Sequence, residues 1–126
     1  MNSNEDIYKK HMSQNLEERK RKSQYYLDKY PDTVPVFIIN GSKDIILSSP
    51  KILLKKEYNV SQFINTLKQR ENKRADVTYY FYANSKILKP SDWIVDVYEK
   101  NKNEDGFLYL RISEIPSLGN IFIDFN

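Results

Sequence analysis

Few residues in this chain could carry covalent or acid–base chemistry. Among 126 residues there is no cysteine and one histidine, His11. Without a thiol there is no cysteine nucleophile, no disulfide framework and no thiolate metal site. A Ser–His–Asp triad would have to use His11, which lies in the polar run NEDIYKKHMS, and no serine sits in a nucleophile elbow. His11 therefore reads as a surface residue. The three glycines, Gly41, Gly106 and Gly119, are too scattered for a phosphate loop. The carboxylate pairs Glu17–Glu18 and Glu104–Asp105 are adjacent, and read as helix-start and turn residues before they read as an acid and a base. By elimination the chain is expected not to be an enzyme and to hold no cofactor and no metal.

Binding chemistry is better represented. Residues 51–74 hold Lys51, Lys55, Lys56, Lys68, Arg70, Lys73 and Arg74 against Glu57 and Glu71 only, a denser positive charge than the +3 of the whole chain. Ile52, Leu53, Leu54, Tyr58 and Phe63 are interleaved with them. A basic rim around apolar residues suits an acidic-flanked hydrophobic peptide that adds a strand to a sheet edge. The same pattern also describes core residues under a solvated lysine face. A second feature is SLGNIFIDFN, residues 117–126, which follows Gly119 with alternating apolar and polar residues. It is either a strand of the fold or a segment to be removed, since a permanently free strand of this kind invites edge-to-edge pairing.

The length suits one domain with one modest core. Charged residues are 29% and hydrophobic ones 40%, and ten tyrosines, six phenylalanines and one tryptophan can fill that core. The longest apolar run, Val34–Ile39, is far short of the ~20 residues of a membrane span. The first residues lack the apolar stretch of a signal peptide, so a cytoplasmic protein is expected. A basic stretch with tyrosines also occurs in nucleic-acid binders, but no RNA or DNA motif is present and no nucleic-acid partner is expected.

The elements that must position these residues follow from pattern. Residues 1–15 form a polar N-terminal segment, with one short helical turn around Asp6–His11. Asn15-Leu-Glu-Glu18 opens a helix with Leu16, Ser23, Tyr26, Leu27 and Tyr30 on one stripe, ended by Pro31. Thr33–Ile39 and Lys51–Lys56 are strands, with a turn at Asn40-Gly41 and a loose connection over 42–50. Asn59-Val-Ser-Gln62 starts a second helix with Val60, Phe63, Ile64 and Leu67 at i, i+3, i+4 and i+7. Val77–Ala83 is a strand turned at Asn84-Ser85. Ser91 caps a short helix with Trp93, Ile94, Val97 and Tyr98 inward. Glu104-Asp-Gly106 turns into the strand Phe107–Ile112. The order predicts an α+β fold, a ubiquitin-like β-grasp with additional N-terminal helices. A right-handed crossover would place its first and last strands parallel in the centre.

Three stretches carry a family resemblance. LEERKRKSQYYLDKYPDTVPV is similar to the start of the ubiquitin-like autophagy modifiers, the family of microtubule-associated light chain three and the GABA-receptor-associated protein. NVSQFINTLKQR resembles the family's central helix, and VYEKNKNEDGFLYL its V-Y-E…E-D-G-F-L-Y stretch. The similarity spans residues 16–119 and implies a ubiquitin-like domain over 16–116 with a processing tail over 117–126. It further implies that a cysteine protease cuts between Gly119 and Asn120. Activating and conjugating enzymes would then attach Gly119 to phosphatidylethanolamine, anchoring the protein to autophagosomal membrane. Leu118 stands where the family usually has Phe or Tyr.

The resemblance also implies a docking site for aromatic-x-x-aliphatic motifs of receptors and adaptors. Its aromatic pocket would comprise Tyr26, Pro35, Phe37, Lys51, Leu53 and Phe107, and its aliphatic pocket Ile52, Leu54, Tyr58, Phe63 and Leu67. Arg70 would be the charge partner of an acid. Lys22 stands where many members have an acid, Ser49 where many have lysine, and Thr66 where many have leucine. Two other readings stay open: an unconjugated β-grasp peptide-binding scaffold, and a sister modifier attached to a protein.

Overall fold

The computed structural model describes residues 3–40, 45–71 and 77–116. Four helices and five strands follow in the order α1 (Ser3–Ser13), α2 (Leu16–Lys29), β1 (Thr33–Asn40), β2 (Lys51–Lys55), α3 (Val60–Arg70), β3 (Val77–Ala83), β4 (Lys86–Ile87), α4 (Ile94–Asn101) and β5 (Leu108–Pro116). The strands form one sheet in the order β2-β1-β5-β3-β4. β1 and β5 are parallel at its centre, paired from Val36↔Leu108 to Asn40↔Ile112, and the other pairs are antiparallel. This is the expected β-grasp.

Strand alternation divides the sheet's side chains between two faces. Val34, Val36 and Ile38 of β1 meet Leu108, Leu110 and Ile112 of β5 and Tyr79, Phe81 and Ala83 of β3 in one apolar core. α3 closes this face with Val60, Phe63 and Leu67, and α4 adds Ile94, Val97 and Tyr98. α3 starts on a complete capping box: Asn59 Oδ1 accepts from Gln62 N and Gln62 Oε1 accepts from Asn59 N, both at 2.8 Å. α2 starts on Asn15, whose side chain accepts from Glu18 N at 2.9 Å. The opposite face carries Pro35, Phe37, Tyr109 and Arg111 and is partly covered by α1 and α2.

Two turns need special backbone. Asn84 and Ser85, at φ 49° and 70°, join β3 to β4 as a two-residue hairpin loop. Gly106 lies at φ +89°, and a Cβ there would overlap Ser23 Oγ of α2, so both conformation and close approach demand glycine.

Several expectations need correction. α1 is an eleven-residue helix, where the sequence suggested a single turn. It persists because it is docked: Asn4 and His11 are buried, and the Asn4 side chain both donates to Leu47 O at 2.9 Å and accepts from Leu47 N at 2.8 Å. His11 is 3% exposed, so it is not a surface residue. The connection ahead of β2 is not loose where it is described, since Ile45 and Leu47 join the core. Trp93 points outward at 51% exposure, because helix α4 begins only after it and has no side-chain cap, from Ser91 or otherwise. β5 runs four residues beyond Ile112, where Tyr80, Tyr79, Thr78 and Val77 of β3 continue the pairing. The two-residue β4 carries no periodic signal. The Asn40-Gly41 turn and the tail at 117–126 fall wholly or partly outside the described residues.

Candidate peptide-binding site

β2 is an edge strand, and its register decides what the edge offers. Ile38 N donates to Pro50 O at 2.7 Å and Lys56 N to Asp32 O at 2.9 Å, so the even-numbered residues of this segment bond to β1. The backbone groups of Lys51, Leu53 and Lys55 therefore point away from β1, toward the open edge. Ser49 Oγ bridges the Lys51 N–H and C=O at 3.2 and 3.3 Å. Pro35 pairs with Leu53 and precedes the first β1–β5 pair, so its missing N–H costs no ladder bond.

Beside that edge lies a cleft of about 100 Å³ lined by Tyr26, Pro35, Val36, Lys51, Ile52, Leu53 and Phe107. Its volume suits one inserted side chain rather than a whole small-molecule ligand. Five of the six residues expected in the aromatic pocket meet here. The sixth, Phe37, is fully buried under α1 and stacks on Tyr109 at a centroid distance of 6.0 Å. Ile52, expected in the aliphatic pocket, lines this first cleft instead. A wider, shallower hollow shares Tyr26 and Lys51 and adds Glu18, Arg21, Lys22 and Tyr25. Burial and the facing charges of Lys22 and Lys10 lower the Lys51 ammonium from its usual range, so the three lysines compete for counter-charge at the mouth.

The remaining candidates are less open. Leu54, Phe63 and Leu67 are 2%, 0% and 0% exposed and belong to the core. Tyr58 is half-buried against that core, with Lys55 Nζ over its ring at 5.7 Å. Arg70 Nε donates to Glu71 Oε2 at 2.7 Å and Nη2 to Ser49 O at 3.0 Å. Glu71 in turn accepts from Ser48 N and Oγ. These bonds tie the end of α3 to the approach of β2, so Arg70 is part of the scaffold as it stands. Gly119 and Asn120 lie outside the described residues.

A buried polar cluster that the sequence reading missed supports the cleft. Asp105 is fully buried: Oδ2 accepts from Arg19 Nε at 3.0 Å and from Tyr109 OH at 2.5 Å, and Oδ1 from Phe107 N at 2.9 Å. Its backbone O accepts from Ser23 Oγ at 2.6 Å. One carboxylate thus joins α2 to β5 and fixes Phe107 at the cleft. Arg19 and Asp105 are 86 positions apart, so only an acidic residue beside a turn glycine hinted at a structural role.

Among the described residues no group of side chains could hold a metal ion, and no helix is long and apolar enough to cross a membrane. A sequence profile described as "Autophagy protein Atg8 ubiquitin like" matches residues 18–119. Autophagy-related protein 8 of Schizosaccharomyces pombe is 31% identical over 110 residues, covering 85% of this chain and 90% of the relative. Autophagy-related protein 8e of Arabidopsis thaliana is 28% identical, covering 86% and 90%. The crystal structure of Trypanosoma brucei ATG8 superposes with a TM-score of 0.77 at 30% identity, over 86% of this chain and 95% of that one. Sheet order, edge strand and profile agree: the chain belongs to the Atg8 family of ubiquitin-like autophagy proteins.

Proposed function

We propose that this protein is a membrane-conjugated modifier of autophagy that recruits receptors through the β2 edge. An extended peptide pairs with the outward backbone of Leu53 and its neighbours. Its aromatic residue enters the cleft of Tyr26, Pro35, Lys51, Leu53 and Phe107. The aliphatic residue lies toward Tyr58 and the α3 side, near Leu54, Phe63 and Leu67, and Arg70 is the nearest guanidinium for a flanking acid. Lys10, Lys22 and Lys51 favour acids ahead of the aromatic residue. The observation that carries this reading is the side-chain-sized cleft beside an edge whose backbone groups face outward.

Trimming by a cysteine protease after Gly119 and transfer of that glycine to phosphatidylethanolamine complete the proposal; the matched profile reaches position 119. A glycine can thread a narrow enzyme channel that a side chain would block. Conjugation would act as a switch. Each basic residue against an anionic surface contributes only about 1 kcal/mol, and a net charge of +3 gives weak, reversible contact. Two acyl chains add about 0.8 kcal/mol per buried CH₂. The protein would be cytoplasmic until conjugated and autophagosomal afterwards.

Intact-mass measurement after incubation with extract of the source cells, beside Gly119→Ala, tests this. Loss of residues 120–126 from the wild type alone supports trimming. An unchanged mass in active extract favours an unconjugated peptide-binding scaffold.

A further inference from the structure

His11 is the one histidine of the chain, and the docking of α1 centres on it. Its ring lies 4.6 Å from Phe37 and 4.8 Å from Phe107, centroid to centroid. Nε2 is 2.8 Å from Tyr109 OH. Because Tyr109 donates its own proton to Asp105, its oxygen must accept here, so His11 carries its hydrogen on Nε2. Nδ1 is then a bare acceptor, buried and without a partner. Protonation would place an N–H there with nothing to receive it, and a charge among phenylalanine rings.

The facing groups decide the balance. Asp105 favours a cation, as does the C-terminal end of α1. Asp105 is already occupied by Arg19, Tyr109 and the Phe107 amide. Arg19 and Lys22 of α2 and Lys51 of β2 oppose the charge, and Lys10 of α1 adds to the same field at Lys51. Tyr8 of α1 packs its ring edge-on against Phe37 and Tyr109. Burial dominates and pushes the imidazole down to about 4 from 6.5. A docked ring thus binds a proton about 300-fold more weakly than a free one.

We propose that α1 is an acid-released latch: protonation of His11 undocks the helix from Phe37, Phe107 and Tyr109 and uncovers that aromatic face beside the cleft. The sign follows from linkage. The docked state is fully favoured above pH 6.5, where even a free ring is neutral. It loses ground as pH falls from there toward 4, because the released ring takes up the proton first. An eleven-residue helix is marginal alone in water, so release also melts it.

An NMR pH titration of the full chain tests this, because a single histidine gives an unambiguous ring signal. The expected result is a His11 midpoint between the docked ring's value of about 4 and the free ring's 6.5, with α1 amides moving to coil positions over the same range while β3 and β5 amides hold. His11→Phe and His11→Gln, neutral at every pH, should keep α1 folded through that window. A His11 midpoint near 6.5, α1 signals that ignore the His11 titration, or loss of α1 in the same window in either variant would overturn the latch.

Discussion

The two faces of the sheet are held by different physics. Under α3 the contacts are mainly apolar: Phe63 packs on Phe81 at 4.6 Å between centroids in one core with Leu54, Leu67, Leu110 and Ile112, and the polar exceptions are the hydroxyls of Tyr79 and Tyr98. Under α1 and α2 an aromatic layer of Tyr8, Phe37, Phe107 and Tyr109 is threaded by His11, Asp105 and Arg19. Apolar contact is non-directional and tolerant of small shifts. A buried carboxylate with several donors is neither, and loses heavily when one partner goes. The stable face is therefore the one facing α3, while the face bearing the cleft is geometrically exacting and open to adjustment.

Substitutions can break or sharpen this contrast. Phe63→Ala should cost about 3–5 kcal/mol in urea unfolding and lower protection from hydrogen exchange across the whole sheet. Asp105→Ala should cost about 3 kcal/mol, at the low end for a broken buried pair because Arg19 is 15% exposed and can reach water. Its lost protection should concentrate in α1, α2 and the start of β5. An even loss over both faces would remove the distinction.

Gly106→Ala combines a left-handed backbone with a clash on Ser23 and should cost about 2 kcal/mol, measured as a shift in the urea midpoint. Leu53→Ala should leave stability within about 1 kcal/mol, because Leu53 is only part-buried, yet weaken an aromatic-x-x-aliphatic peptide roughly tenfold by calorimetry. An unchanged affinity would mean the cleft does not hold the aromatic residue. The smallest effect belongs to Lys22→Glu, a few-fold weakening for peptides with an acid ahead of the aromatic residue, as for an exposed ion pair worth about 0.2–1 kcal/mol. Lys22 Nζ also donates to Gln14 Oε1 at 2.7 Å, so calorimetry should be paired with a stability measurement.

The same contrast governs what could be read in advance. The start and buried stripe of α3 are legible in the sequence, since Val60, Phe63 and Leu67 repeat at helical spacing behind an Asn59–Gln62 box. Of the five aromatic-pocket positions that meet at the cleft, Tyr26, Pro35 and Phe107 lie in stretches with strong family resemblance, while Lys51 and Leu53 lie outside them on the edge strand β2. Phe37 does not join the cleft because α1 covers it, and local pattern indicates only a single turn where α1 forms. Its moment is weak, and its docking rests on Asn4 and His11, polar residues that local rules assign to solvent.

The sequence by itself determined the order of every element except α1 and β4, the β-grasp class and the family. Alternation, capping residues and turn glycines act over a few positions, and a one-residue slip would turn the apolar set of β1 or β5 away from the core. The tertiary structure alone decided which residues share a site. Arg19 with Asp105, His11 with Tyr109 and Asn4 with Leu47 meet across 86, 98 and 43 positions, through directional bonds that become favourable only once burial removes competing water.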